Sequence, residues 1–322
     1  MGRVVSLPRP ATRALTLAPH ATELVYAAGA GGRLAASVKG SDFPPQAASL
    51  PSIGDGTQPD PERIAALKPD LVIAWQPGAV GPVQPVLQAL RVPVFYSDPQ
   101  SLADIPAAVA ALGSLFGTSD VAEPAAAAMR ETLAAIAREY AGRPPVRVFI
   151  QAGSQPLYTL NGRNIVDDAV RLCGGVNVYA DAPVVAPQTS PEAVIAARPD
   201  AVLAGVHGPE ALRQTAAAWE RAALPAALAG HVYGIDADML YRPGPRLIDA
   251  TRLLCAMLDR ARPAPASSAS PASSASSASS ASPASSPSSA SSGSSGSSVS
   301  TPFAASPVTQ PRRPGATLMV AP

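Results

Sequence analysis

Aromatic residues are scarce in this 322-residue sequence: Phe, Trp and Tyr together make up 4% of it, although apolar residues make up 47%. Alanine supplies much of the difference, so each aromatic side chain stands out as a candidate for a defined task. Excess charge is missing too. A net charge of +1 does not suggest the broad basic footprint of a nucleic-acid binder. No apolar run approaches the ~18 residues that a membrane-spanning helix needs. The opening MGRVVSLPRPATR has arginines but neither an apolar core nor a small-residue cleavage site, so no secretory leader is visible in it.

The motifs of common chemistries are missing as well. GAGG at 29–32 starts a dinucleotide loop, but the third glycine of GxGxxG would fall at Leu34. There is no GxxxxGK[ST], and Gly153-Ser154 lies in AGSQP rather than in a GxSxG elbow. His20, His207 and His231 are scattered, without the HExxH spacing that places two ligands on one helical face. Asp167 and Asp168 are adjacent, and adjacent side chains seldom converge on one substrate. An enzyme therefore has little to stand on.

What the sequence does have is one sentence written twice. PERIAALKPDLVIA (61–74) returns as PEAVIAARPDAVLA (191–204), 130 positions later, with seven of fourteen residues identical and no gap. Each copy reads as a helix, a turn and a strand. Ile64, Ala65 and Leu67 give a helical stripe that Pro69 stops. LVIAW (71–75) is then a short continuous apolar run, as in a strand buried on both faces of a parallel sheet. Pro199 and AVLAG (201–205) repeat the pattern, and ALTLAP (14–19) and VRVFIQAG (146–153) are further apolar runs. This alternation predicts an α/β fold with parallel sheets.

Between the copies, Met129, Leu133, Ile136 and Tyr140 fall on one helical face. Asp120 and Glu123 form its expected N-terminal cap, and Gly142 with Pro144 its stop. The reading is two related lobes on one long helix, with a cleft between; two similar units within a single sheet are the alternative. The expected divisions are an extension over 1–12, a first lobe over 13–118, the bridging helix over 119–143 and a second lobe over 144–262. From 263 the composition collapses to Ala, Ser, Pro and Gly, which predicts a disordered tail over 263–322.

Trp75 ends the first repeated strand, and ligands of open α/β sheets collect at the carboxyl ends of strands. A large flat apolar side chain there suits the wall of a ligand site. DADMLYRPGPR (236–246) puts Asp, Tyr and Arg on a Pro/Gly-rich loop, which either points polar groups into a cleft or simply connects. Cys173 and Cys255 are 82 residues apart, too far for a local metal motif. Both are buried free thiols, or they form a bridge in an oxidising compartment.

At this point the sequence resembles a known family. ALTLAPHATELVYAAGAGGRLAASVKGSDFPPQA, PERIAALKPDLVIAW, RLCGGVNVYADAP (171–183) and DMLYRPGPRLIDATRLLCAM (238–257) are similar to the periplasmic cobalamin-binding proteins of bacterial corrinoid ABC importers. The resemblance covers nearly all of 13–260. It implies two Rossmann-like lobes bridged by one long α-helix, with the ligand in the cleft between them, little closure on binding, no catalysis and no cofactor. Cobalamin is the implied cargo, an inner-membrane ABC permease the implied partner, and a monomer the implied state.

Carried over by motif, the resemblance makes Trp75, Tyr179 and Trp219 ligand-facing aromatics. It makes Asp238, Met239, Leu240, Tyr241 and Arg242 the loop that meets the corrin amides, and Cys173–Cys255 a disulfide. Two positions depart from the family. Gly40 stands where a ligand-facing Tyr can precede SD[YF]PP, and QPGAVGPVQP (76–85) contains none of the acid expected to dock on the permease. Glu210 or Glu220 is the docking acid expected in the second lobe. The family is exported, so the resemblance implies a periplasmic location and a leader upstream of this start. Within the same class the alternative is a haem or siderophore binder, with His20 or Tyr241 as axial ligand to iron. In a different class it is a two-lobed cytoplasmic enzyme with reduced cysteines.

Overall fold

The computed structural model describes residues 5–262, so the Ala/Ser/Pro-rich segment expected to be a disordered tail lies outside the described residues. Four short parallel strands, β1 (Ala14–Thr16), β2 (Leu34–Ser37), β3 (Leu71–Ala74) and β4 (Val94–Tyr96), form one sheet in the order β2-β1-β3-β4. A second sheet holds β5 (Val146–Ser154), β6 (Leu157–Thr159), β7 (Gly175–Asn177), β8 (Ala201–Val206) and β9 (Val232–Asp236). There β7, β5, β8 and β9 pair in parallel in the same order as the first sheet, and β6 adds an antiparallel edge to the far end of β5. All four residues of β3 and the first four of β8 are buried, as continuous apolar runs require.

The duplicated sentence does the same local work in both sheets. Asp60 accepts from the Glu62 and Arg63 amides to start the helix Pro61–Leu67, and Ser190 accepts from the Ala193 amide to start Pro191–Ala197. Lys68 and Arg198 then end the two helices in the left-handed region, at φ 45° and 48°. The aspartate that follows docks the unit on the neighbouring strand. Asp70 accepts from the Thr12 and Arg13 amides at 2.8 and 3.0 Å, and Asp200 accepts from the Arg147 amide at 2.8 Å. Arg13 and Arg147 in turn donate to the last carbonyls of the two helices.

The connecting helix runs over Ser119–Tyr140, 22 residues or about 33 Å at 1.5 Å per residue. Ile136 and Tyr140 are buried, and Met129 and Leu133 pack partly buried against the same core, so the predicted face is the observed one. The predicted cap is not. Thr118 occupies the cap position and donates its hydroxyl to Ala28 O at 2.6 Å, leaving the helix without a side-chain cap. Asp120 lies in the first turn, where its charge still favours the helix dipole, and Glu123 faces Arg130.

One apolar cluster is continuous from Leu24 and Phe116, through Ile136 and Tyr140, to Val148 and Leu254. Cys173 and Cys255 form a disulfide that ties the end of helix Ile165–Leu172 to helix Pro245–Ala261. No helix among the described residues is long and apolar enough to cross a membrane.

Candidate functional site

Trp75 follows β3 directly and is 43% exposed. Register fixes its surroundings: Ala74 pairs with Tyr96, and Asp98 lies two residues beyond the end of β4. Asp98 accepts from Trp75 Nε1 at 2.6 Å and from Gln76 Nε2 at 3.2 Å. The His20 and Trp75 rings meet edge to face, with their centroids 5.5 Å apart. An exposed aromatic held at both its polar and apolar sides is a preorganised surface.

His20, the other candidate axial ligand to iron, is 2% exposed. Its Nε2 lies 3.0 Å from Ser97 O, a pure acceptor, so that nitrogen carries the proton and is unavailable to a metal. Burial pushes its pKa below the usual value of 6.5 and keeps the ring neutral.

In the second sheet a cavity of about 980 Å3 opens where β5 and β8 end. Gln151, Gln188, Gln214, Thr189 and Thr215 supply amides and hydroxyls to its wall, with His207 and Arg221, and no carboxylate is among its lining residues. Gln151 accepts from Trp219 Nε1 at 2.7 Å and donates to Ser154 Oγ at 3.0 Å, which fixes its orientation. Trp219 borders the cavity but buries all but 4% of its surface, with an edge contact to Phe149 at 5.6 Å. It is first a core residue of the second lobe. Tyr179 touches the cavity wall through Thr189, its hydroxyl 2.6 Å from Thr189 Oγ1.

The segment 236–246 differs most from a loop of free ligand contacts. Asp236 accepts from the amides of Asp238 and Met239 and starts a single helical turn, Ala237–Leu240. Met239 packs partly buried against the core. Leu240 is 0% exposed and presents no surface to a cleft. Tyr241 donates its hydroxyl to Gln151 O at 2.6 Å and accepts from the Gly205 amide at 2.9 Å. Its ring fills the space over Gly205, where a Cβ would lie 2.1 Å from the ring. Burial pushes the phenol up to about 12. The hydroxyl is thus committed to Gln151 O and the Gly205 amide, within the fold rather than towards a ligand.

Arg242 is engaged by three carboxylates: Asp238 at 2.7 Å, Asp42 at 3.0 Å and Glu23 at 3.5 Å. Arg246 binds Glu23 through two nitrogens and lies over the Phe43 ring at 4.3 Å. Glu23 and Asp42 precede the connecting helix in the chain and the arginines follow it, so the cluster joins the two lobes. Partial burial pushes Asp42 up, but the hydrogen bond and charge of Arg242 outweigh it and leave its pKa below the usual range. Gly40 sits nearby at φ 80°, a conformation that resists a tyrosine even though the nearest atom to its missing Cβ is Pro19 Cγ at 3.7 Å.

Glu210 and Glu220 are both exposed on helix Gly208–Arg221. Glu210 is paired within the helix with Arg213 and Gln214, whereas Glu220 has no ion-pair partner among the described residues.

Residues 15–239 match the periplasmic binding protein family. The chain belongs to that family. It is 36% identical over 259 residues to a vitamin B12-binding protein of Vibrio cholerae, covering 80% of this chain and 93% of that one. The crystal structure of the periplasmic vitamin B12 binding protein BtuF of Vibrio cholerae aligns with a TM-score of 0.72 at 35% identity, over 79% of this chain and 99% of that one. The apo form of the periplasmic heme-binding protein RhuT from Roseiflexus sp. RS-1 aligns at 0.66 with 28% identity, over 78% and 99%. Two mostly parallel sheets flanked by helices are thus the two-lobed binding-protein fold, and members of this family bind solutes.

Proposed function

We propose that this chain captures cobalamin or a close corrinoid in the periplasm and delivers it to the permease of an ABC importer. The observation that carries the reading is the 36% identity to a vitamin B12-binding protein over nearly the whole length of that relative. The cavity supports it. Amides and hydroxyls without any carboxylate suit a large ligand whose rim is made of neutral amides.

In this reading Trp75 is the apolar wall of the first lobe, and Trp219, Tyr179 and Met239 line or back the wall of the second. Asp238 and Arg242 stand at the rim, Leu240 and Tyr241 hold that rim in place, and the ligand is cargo rather than a cofactor. The protein acts as a monomer without catalysis, and Glu220, which has no ion-pair partner among the described residues, is the better docking acid than Glu210, which Arg213 engages.

A second reading, a haem binder, is favoured by the likeness to RhuT and by a histidine on the cavity wall, His207. His20 and Tyr241 do not serve it, for the reasons above. The test is retention: purified protein mixed with cyanocobalamin and desalted should carry the corrinoid absorbance in a one-to-one ratio. Loss of all colour on desalting, with haemin retained instead, would overturn the corrinoid reading.

A further inference from the structure

The three histidines of the described residues differ in what their rings do. His20 is buried and donates to Ser97 O, and His231 Nδ1 lies 2.9 Å from the Tyr233 hydroxyl. His207 is exposed, lines the large cavity, and makes no side-chain hydrogen bond among the described residues. It also precedes helix Gly208–Arg221 without capping it. Its backbone is held between the end of β8 and the first turn of that helix, while both ring nitrogens stay uncommitted.

We infer that His207 supplies an axial nitrogen ligand to the metal at the centre of the bound macrocycle. The inference rests on the corrinoid reading and adds a metal ligand to it. A neutral imidazole is the commonest protein ligand for such a metal. The neighbouring wall of Gln188, Gln214 and Thr215 offers no carboxylate to compete for the ring. In the step, the cobalt–water bond of an aquocorrinoid breaks, a cobalt–nitrogen bond forms with the imidazole lone pair, and water leaves. Cobalt stays in its trivalent state, so no oxidant or reductant takes part. A corrinoid whose axial cyanide does not exchange binds without this bond.

The test is the absorption spectrum of aquocobalamin, free and with protein, at a pH just below neutral, where the cobalt-bound water keeps its proton and can leave as water. The wild type and a His231→Ala control should move the corrin bands to longer wavelength, and cyanocobalamin should show no such displacement. The corrinoid that His207→Ala and His207→Gln bind, however much that is, should keep its bands at the positions of the aquo form. An unshifted spectrum for wild type that has retained the corrinoid, or a shift that persists in His207→Ala, would overturn the inference while leaving the corrinoid reading intact. If the wild type retains no corrinoid at all, the reading beneath it fails as well.

Discussion

Arg246 sets Nε and Nη2 on the two carboxylate oxygens of Glu23, at 3.0 and 2.6 Å, and so joins two segments 223 residues apart. Glu23 is 3% exposed, and Arg242 approaches it from the same side. Two guanidinium groups therefore depend on one buried acid, with Asp42 and Asp238 taking the rest of the charge. Removing one partner of a buried pair leaves the other charge uncompensated, which costs about 3–5 kcal/mol. Glu23→Ala should lose stability of that order in urea denaturation, and Glu23→Gln, which keeps the shape and one acceptor, should lose less. An unchanged midpoint for Glu23→Ala would show that the cluster does not hold the lobes.

Trp75 offers an exposed indole that Asp98 and His20 hold in place. Trp75→Ala should weaken corrinoid binding by about 1–3 kcal/mol, the loss typical of an anchoring aromatic. Asp98→Ala should weaken it by a smaller amount, because the indole remains but loses its tether. Titration calorimetry of both variants measures the difference; equal affinity for Trp75→Ala and wild type would remove Trp75 from the site.

The Cys173–Cys255 bridge closes a loop of 82 residues. In the loop-entropy account, a cross-link of that span is worth about 4–5 kcal/mol. The paired Cys173→Ser, Cys255→Ser variant should lower the denaturation midpoint accordingly. The same treatment with a thiol reductant should leave that variant's midpoint unmoved and lower only that of the wild type.

His20 gives a pH dependence with a definite sign. Burial lowers its folded pKa most strongly, partly offset by the bond to Ser97 and the charge of Asp98, while Arg242 adds to the lowering. The unfolded imidazole takes up a proton below its ordinary value of 6.5, and the folded one resists it. Stability is therefore fully present above that value and falls as pH drops through the window below it. Asp42, Asp70 and Asp259, all lowered in the fold, add a separate loss further into acid, below about pH 4. Thermal melts of wild type should decline from pH 7 towards 5, and those of His20→Gln should be flatter across that interval.

The sheet pattern was legible because buried parallel strands carry continuous apolar runs, and LVIA and AVLA announce themselves. The repeat was legible for the same reason, although its left-handed caps at Lys68 and Arg198 were not, since glycine or asparagine is the usual signal. Long-range polar contacts left no local trace. Nothing in the neighbourhood of Glu23 points to Arg246, and only the Asp238–Arg242 pair has helical spacing. Trp219 and Leu240 read as ligand-facing by motif; that Trp219 borders the cavity while packing most of its surface against Phe149, and that Leu240 is fully buried, follow from long-range packing, which spacing does not encode. His207 carried no motif at all; its significance comes from the cavity that β5, β8 and the following helix enclose.

The most direct test of the account is calorimetric titration of the purified protein with cyanocobalamin, with haemin titrated in parallel. The account predicts one-to-one, submicromolar binding of the corrinoid and none of haemin. Binding of haemin alone would contradict it and would move the cargo of this cavity from cobalt to iron.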